Sequence, residues 1–367
     1  MPSARVLPIV RRTPSGTVSR EHVRSVISGR SERLTLLASQ FLGEADRTSR
    51  ASAVRGRHAI AAVALAAFVG LVGLAAAADH RGTIKGRVTI LRGLVYRVAG
   101  GQTLRLDAYL PRSNGSPRPA VVIVHGGGWR SGTRATFAPG ESSVEPTARL
   151  FAARGWATFS IDYRLAPASR FPAEVSDVQS ALAWVRRNGV RYHIDPRRIA
   201  LLGASAGGNL AVQAALTSMS GAAPAAAVSW SGPMDLTNFY RALATRESRP
   251  FVVDYLGCVP AACPSRYRDA SPADQVTATS PPTLLANGTK EIVPLQQASE
   301  MTAALAAKNV PHAVVIIPGS RHAADYEPAV INRTISFLAA RFAIRVPVGR
   351  SVARASGWPR RRNRWRP

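Results

Sequence analysis

Ile199-Ala200-Leu201-Leu202-Gly203-Ala204-Ser205-Ala206-Gly207-Gly208 is the stretch on which the fold turns. The apolar run up to Leu202 reads as a strand buried on both faces. A helical pattern begins near Ala206 and continues to Thr217. Between strand and helix sits Gly-x-Ser-x-Gly, a turn so tight that the flanking side chains must be absent or tiny. Such a turn forces its serine into a strained backbone conformation and projects the hydroxyl outward. The residue types therefore make Ser205 a candidate nucleophile. A bare five-residue match is weak, and the strand–turn–helix setting is what gives it weight.

Upstream, Ala120–Val124 is a second continuous apolar strand pattern, and it runs directly into His125-Gly126-Gly127-Gly128-Trp129. Consecutive glycines let backbone N–H groups approach a ligand with no side chain between. Placed beside the elbow, the N–H groups of Gly127 and Gly128, with that of Ala206, form a candidate oxyanion hole. His125 reads as a structural residue that holds this loop through a ring hydrogen bond. Trp129 is placed to line a substrate pocket, and packing is the alternative reading of an aromatic there.

Outward from these two motifs, strand and helix patterns alternate, which argues for an α/β sheet with helices on both faces. Strands are expected over 103–110 (on the edge side of the sheet), 120–124, 156–161, 198–202, 225–230, 283–286 and 313–317. Helices are expected over 146–154, 173–188, 206–217, 295–309 and 327–342. Residues 233–282, rich in Pro, Arg and Tyr, read as an irregular insertion that packs over the carboxyl end of the sheet as a small partial cap.

Three motifs in order, His125–Trp129, Asp162-Tyr163-Arg164-Leu165-Ala166-Pro167 and Gly203–Gly208, resemble those of the hormone-sensitive-lipase-like esterases and the related feruloyl-esterase-like hydrolases. The resemblance covers roughly residues 88–342. It implies an α/β-hydrolase fold with a mostly parallel eight-stranded sheet, no metal or organic cofactor, and a Ser–acid–His triad in that chain order. Of seven histidines, His322 alone follows a late strand, through Pro318-Gly319-Ser320-Arg321, and is the expected base. The acid belongs after the strand at 283–286, where Glu291 stands at the position at which the family usually carries Asp. Glutamate can orient an imidazole, although its extra methylene changes the reach. Asp325 is the alternative acid. Asp162 and Arg164 read as residues that hold the turn after their strand. The activity implied is carboxylic ester hydrolysis through an acyl-enzyme on Ser205, with small-molecule, lipid and carbohydrate esters all open. An acyltransferase, a peptidase with the same triad and a non-catalytic binding protein on this fold are the rivals.

The flanks carry a different signal. Formal net charge is +27 over 367 residues; residues 1–58 hold eleven Arg against four acids, and 341–367 hold nine Arg and no acid. Both ends, 1–53 and 343–367, read as basic and disordered, suited to contact with an anionic membrane or envelope polymer, with solvated Arg that serve no partner as the alternative. No zinc-finger spacing, ribonucleoprotein motif or basic heptad helix is present in the sequence, so nucleic acid is not an expected partner. Residues 54–58 are basic and 59–78 form an unbroken apolar run ending in Ala76-Ala77-Ala78. That describes either a cleavable signal peptide or a membrane anchor, with 1–53 a leader ahead of the true start. Either way residues 79–342, the catalytic domain, are expected outside the cytoplasm. There Cys258 and Cys263 are able to close a small disulfide loop; unpaired thiols are the alternative, and metal binding lacks partners.

Overall fold

The molecule is built around β4 (Arg118–Val124) and β6 (Ile194–Ala204), the two strands that lead into the predicted site. From Ala120 to Val124 every residue is completely buried. Val121 and Ile123 face one hydrophobic cluster, while Ala120, Val122 and Val124 face another on the opposite side of the sheet. Strand alternation with both faces covered explains why the sequence shows a continuous apolar run. Each such Val or Ile side chain contributes about 1.5–3 kcal/mol by leaving water.

A computed structural model of the chain describes residues 83–85, 88–112, 115–138, 142–243 and 249–343. The remaining strands are β1 (Thr83–Lys85), β2 (Val88–Ala99), β3 (Gln102–Pro111), β5 (Ala157–Ile161), β7 (Ala226–Trp230), β8 (Thr283–Gly288) and β9 (His312–Ile317). They form one sheet in the order β1-β2-β3-β5-β4-β6-β7-β8-β9. β1, β2, β3 and β5 pair antiparallel, and every pairing from β5 through β4 to β9 is parallel. The parallel part places the loops after β4, β6, β7 and β8 at one edge, the carboxyl ends of the strands, where open α/β sheets bind ligands.

Helices cover both faces. α1 (Val144–Ala152) and α9 (Glu327–Arg341) pack into one cluster. α2 (Ala173–Arg187), the single turn α3 (Gly189–Tyr192), α4 (Ala206–Leu216) and α8 (Leu295–Ala307) supply the other. Between β7 and β8 come α5 (Leu236–Ala242), α6 (Arg249–Leu256) and α7 (Pro264–Asp269).

Two expectations are corrected. The strand at 103–110 is not on the edge side, because β2 lies outside it and β1 outside β2. β2 was hidden in the sequence by Gly93 and by two register breaks, after Leu91 and after Val95, which interrupt its alternation. The insertion at 233–282 is not irregular throughout; it contains three helices, six to eight residues long and too short to show a 3.6-residue period. Cys258 and Cys263 are joined by a disulfide directly after α6, with their Cα atoms 6.2 Å apart. The basic leader, the apolar segment 59–78 and the Arg-rich tail from 344 lie outside the described residues. Among the described residues no helix is long and apolar enough to cross a membrane, and no cluster of His, Cys, Asp and Glu could hold a metal ion.

Candidate active site

Ser205 joins β6 to α4 with φ 53° and ψ −124°, a backbone conformation disfavoured for any residue with a Cβ. The neighbours show why only glycine fits around it. A Cβ on Gly203 would stand 2.0 Å from the carbonyl oxygen of Gly207, and one on Gly207 would stand 2.2 Å from that of Val124. The turn is fixed by hydrogen bonds from Ser205 N–H to Trp230 O (2.7 Å) and from Gly208 N–H to Ser205 O (2.8 Å). Strain of about 1–3 kcal/mol at one residue is sustained by packing on every side.

The glycine loop after β4 lies beside this turn. Gly127 and Gly128 both take positive φ, 96° and 61°. The N–H groups of Gly127, Gly128 and Ala206 donate to no acceptor among the described residues. His125 is fully buried beneath the loop; its Nδ1 lies 2.8 Å from Gly126 O and its ring stacks on Tyr163 at 4.2 Å. Burial pushes its pKa down to about 4, so the ring is neutral and its Nδ1–H donates to the carbonyl. The Tyr163 hydroxyl lies 3.1 Å from the carbonyl oxygens of both His125 and Gly126. Asp162 accepts from the backbone N–H and guanidinium of Arg134, and Arg164 pairs with Asp177, so both residues hold the turn after β5.

His322 follows β9 and its Nδ1 hydrogen-bonds Glu291 Oε2. The Glu291 side chain is fully buried. Its Oε1 accepts from Ser231 Oγ (2.9 Å), Asn287 Nδ2 (2.9 Å) and Gly288 N–H. Ser231 Oγ also accepts from the N–H of Ala323, the residue after His322 (2.9 Å). One hydroxyl thus ties the acid-bearing loop to the histidine-bearing loop. Tyr326 Oη lies 2.7 Å from Ser231 Oγ and donates to Ala286 O at 2.9 Å. Burial raises the Tyr326 pKa and keeps the phenol neutral. Asp325 is exposed and meets the His322 loop only through its backbone N–H, so the structure pairs His322 with Glu291 and not with Asp325.

Ser205, Ala206, Gly127, Gly128 and His322 border one cavity of about 330 Å³. Its remaining wall includes Phe239 and Leu243 at α5, Phe251 of α6, and Ile292 and Val293 beside Glu291. Trp129 also borders it but is 2% exposed, and its ring is stacked on Tyr255 at 4.6 Å. Packing is therefore its main role. A larger open groove of about 730 Å³ lies elsewhere, along α5 and the disulfide loop, and shares no residue with this cavity.

Ser231, Asn287, Tyr326 and Phe251 went unnoticed in the sequence. Asn287 and Ser231 carried one usable signal, since polar residues at the carboxyl ends of parallel strands sit where such folds build sites.

The BD-FAE family model matches residues 106–305, more than half of the chain. The chain belongs to the BD-FAE family. Among curated proteins this family member is 34% identical over 227 residues to esterase LipC of Mycobacterium tuberculosis, covering 57% of this chain and 54% of LipC. It is 44% identical over 108 residues to carboxylesterase NlhH of the same organism, covering 29% and 32%. The chain spans about half the length or less of these relatives. Among solved structures it resembles a truncated carbohydrate esterase from gut microbiota, with TM-score 0.63 and 22% identity over 72% of this chain and 100% of that one. It also resembles esterase 2 of Thermogutta terrifontis, with TM-score 0.56 and 23% identity over 70% and 93%. These likenesses establish the α/β-hydrolase fold.

Proposed function

We propose that the protein is a serine carboxylesterase in which Ser205, His322 and Glu291 act as nucleophile, base and orienting acid. The observation that carries this reading is the buried Glu291–His322 hydrogen bond, with His322 on the wall of the cavity that also holds Ser205 and the glycine N–H groups. In the first step Ser205 Oγ attacks the ester carbonyl carbon while His322 Nε2 takes its proton. His322 Nδ1–H donates to Glu291, which stabilises the imidazolium as it forms. The carbonyl oxygen gains negative charge and is received by the N–H groups of Gly127, Gly128 and Ala206, each such donor contributing about 3–4 kcal/mol to barrier lowering. The C–O bond to the alcohol then breaks as His322 returns the proton to the leaving oxygen. Water, deprotonated by His322, releases the acid from the acyl-enzyme by the same route.

Supporting an ester rather than another substrate are the names of the curated relatives, LipC and NlhH. The disulfide and the basic–apolar–small pattern of residues 54–78 support a site outside the cytoplasm. The test is hydrolysis of p-nitrophenyl acetate and butyrate by the wild type and by Ser205→Ala, with an expected loss of about 10⁶-fold in kcat. A variant that retains activity would remove Ser205 from the mechanism.

A further inference from the structure

Helix α6 docks on the glycine loop through one face. Phe251, Asp254 and Tyr255, spaced i, i+3, i+4, meet Gly128, Arg130 and Trp129 respectively. The Phe251 ring lies against Gly128, so that a Cβ placed on that glycine would stand 3.2 Å from it. Asp254 Oδ2 is 3.1 Å from Arg130 Nε, and the Arg130 guanidinium lies over the Phe251 ring at 5.3 Å. Tyr255 stacks on Trp129 with planes 3° apart. The ring of Phe251 is thereby held at a fixed place in the cavity wall even though the residue is 36% exposed.

The chemistry of the proposed mechanism, on which this inference rests, assigns the directions around the ester carbonyl. Its oxygen points to the glycine loop. The leaving alcohol must lie beside His322, which protonates it, and so beside Ile292 and Val293 of the adjoining loop. The third substituent, the acyl chain, is left the wall formed by the α5–α6 insertion, with Phe239, Leu243 and Phe251. Among the described residues no Asp, Glu, Lys or Arg borders the cavity, and its volume of about 330 Å³ is at the small end for ligand sites. We infer that the site takes short, uncharged, apolar acyl groups, and that Phe251 is the residue that limits their length.

A p-nitrophenyl ester series from acetate to decanoate, run on the full chain and on Phe251→Ala and Phe251→Trp, tests this. The alcohol is constant, so the profile reports the acyl side. The wild type is expected to prefer acetate to butyrate. Phe251→Ala is expected to raise kcat/KM for octanoate relative to acetate by about tenfold or more, the scale on which apolar pockets sort methylenes. Phe251→Trp is expected to shift the preference the other way. Two variants of opposite volume keep the test informative if one of them folds poorly. An active wild type whose octanoate-to-acetate ratio is unmoved in both variants overturns the inference and leaves the esterase reading standing. A folded wild type that turns over no ester in the series contradicts the esterase reading itself.

Discussion

Glu291 and Glu174 both have side chains withdrawn from water, and the protein treats them in opposite ways. Glu291 is met by Ser231, Asn287, the Gly288 N–H and His322. Neither oxygen of Glu174, in the first turn of α2, meets a donor from another residue among the described residues. Desolvation is the first cause that lifts the Glu174 pKa from 4.5 to about 8, with Asp177 adding to the rise and Arg164 opposing it. Tyr163 and Tyr255 are also buried, and burial pushes their phenols well above the usual range. Burial without donors therefore favours the neutral acid. A carboxylate that is to hold a histidine needs donors arranged around it before the histidine arrives.

The comparison breaks most visibly at Glu291. Glu291→Gln keeps the volume and removes the charge that the proposed mechanism uses to orient and stabilise His322. It is expected to lower kcat about 10³–10⁴-fold with little change in KM, measured on p-nitrophenyl butyrate. A loss under tenfold would mean that Glu291 only positions its loop.

Glu174→Gln should act on stability instead. The folded-state pKa of about 8 lies above the unfolded value, so the folded state binds the extra proton between roughly pH 4.5 and 8. Stability from this group is full below the unfolded pKa and declines as pH rises through that window. At pH 7 the decline amounts to up to about 3 kcal/mol. The glutamine variant, which never ionises, is expected to flatten this slope and to melt at higher temperature than the wild type at pH 8, with the two converging near pH 4.5. Thermal unfolding across pH checks it; an unchanged slope would mean Glu174 ionises freely in the fold.

The smallest effect sharpens the comparison from outside. The Asp325 carboxylate, on an exposed residue three past His322, makes no hydrogen bond to His322 or Glu291. Asp325→Ala is expected to change kcat/KM by less than about twofold, since exposed carboxylates couple weakly. A large loss would return Asp325 to contention as the acid.

What could be read from the sequence was what backbone geometry imposes locally. The turn at Ser205 needs Gly203 and Gly207 because carbonyl oxygens approach within van der Waals distance, and the loop at Gly127 and Gly128 needs positive φ. Those demands leave their mark on residue type at fixed spacing. Glu291 and His322 were findable because each follows a strand of the parallel sheet. The support around them was not. Ser231 reaches Glu291 across 60 residues and Ala323 across 92, and no local pattern encodes such an approach. The insertion stayed opaque for a different reason: α5, α6 and α7 are each about two turns or less, and they acquire their shape by docking. Phe251 acquires its place in the wall only once α6 lies on the glycine loop.

The central claim is that one serine, activated by His322 and Glu291, carries the chemistry. It is tested most directly by treating the folded chain and its Glu291→Gln variant with a fluorophosphonate probe and mapping the adduct by peptide mass. The account predicts a single adduct on the peptide holding Ser205, formed rapidly in the wild type and far more slowly in the variant. An adduct on another serine, or none on folded wild-type protein, would contradict it.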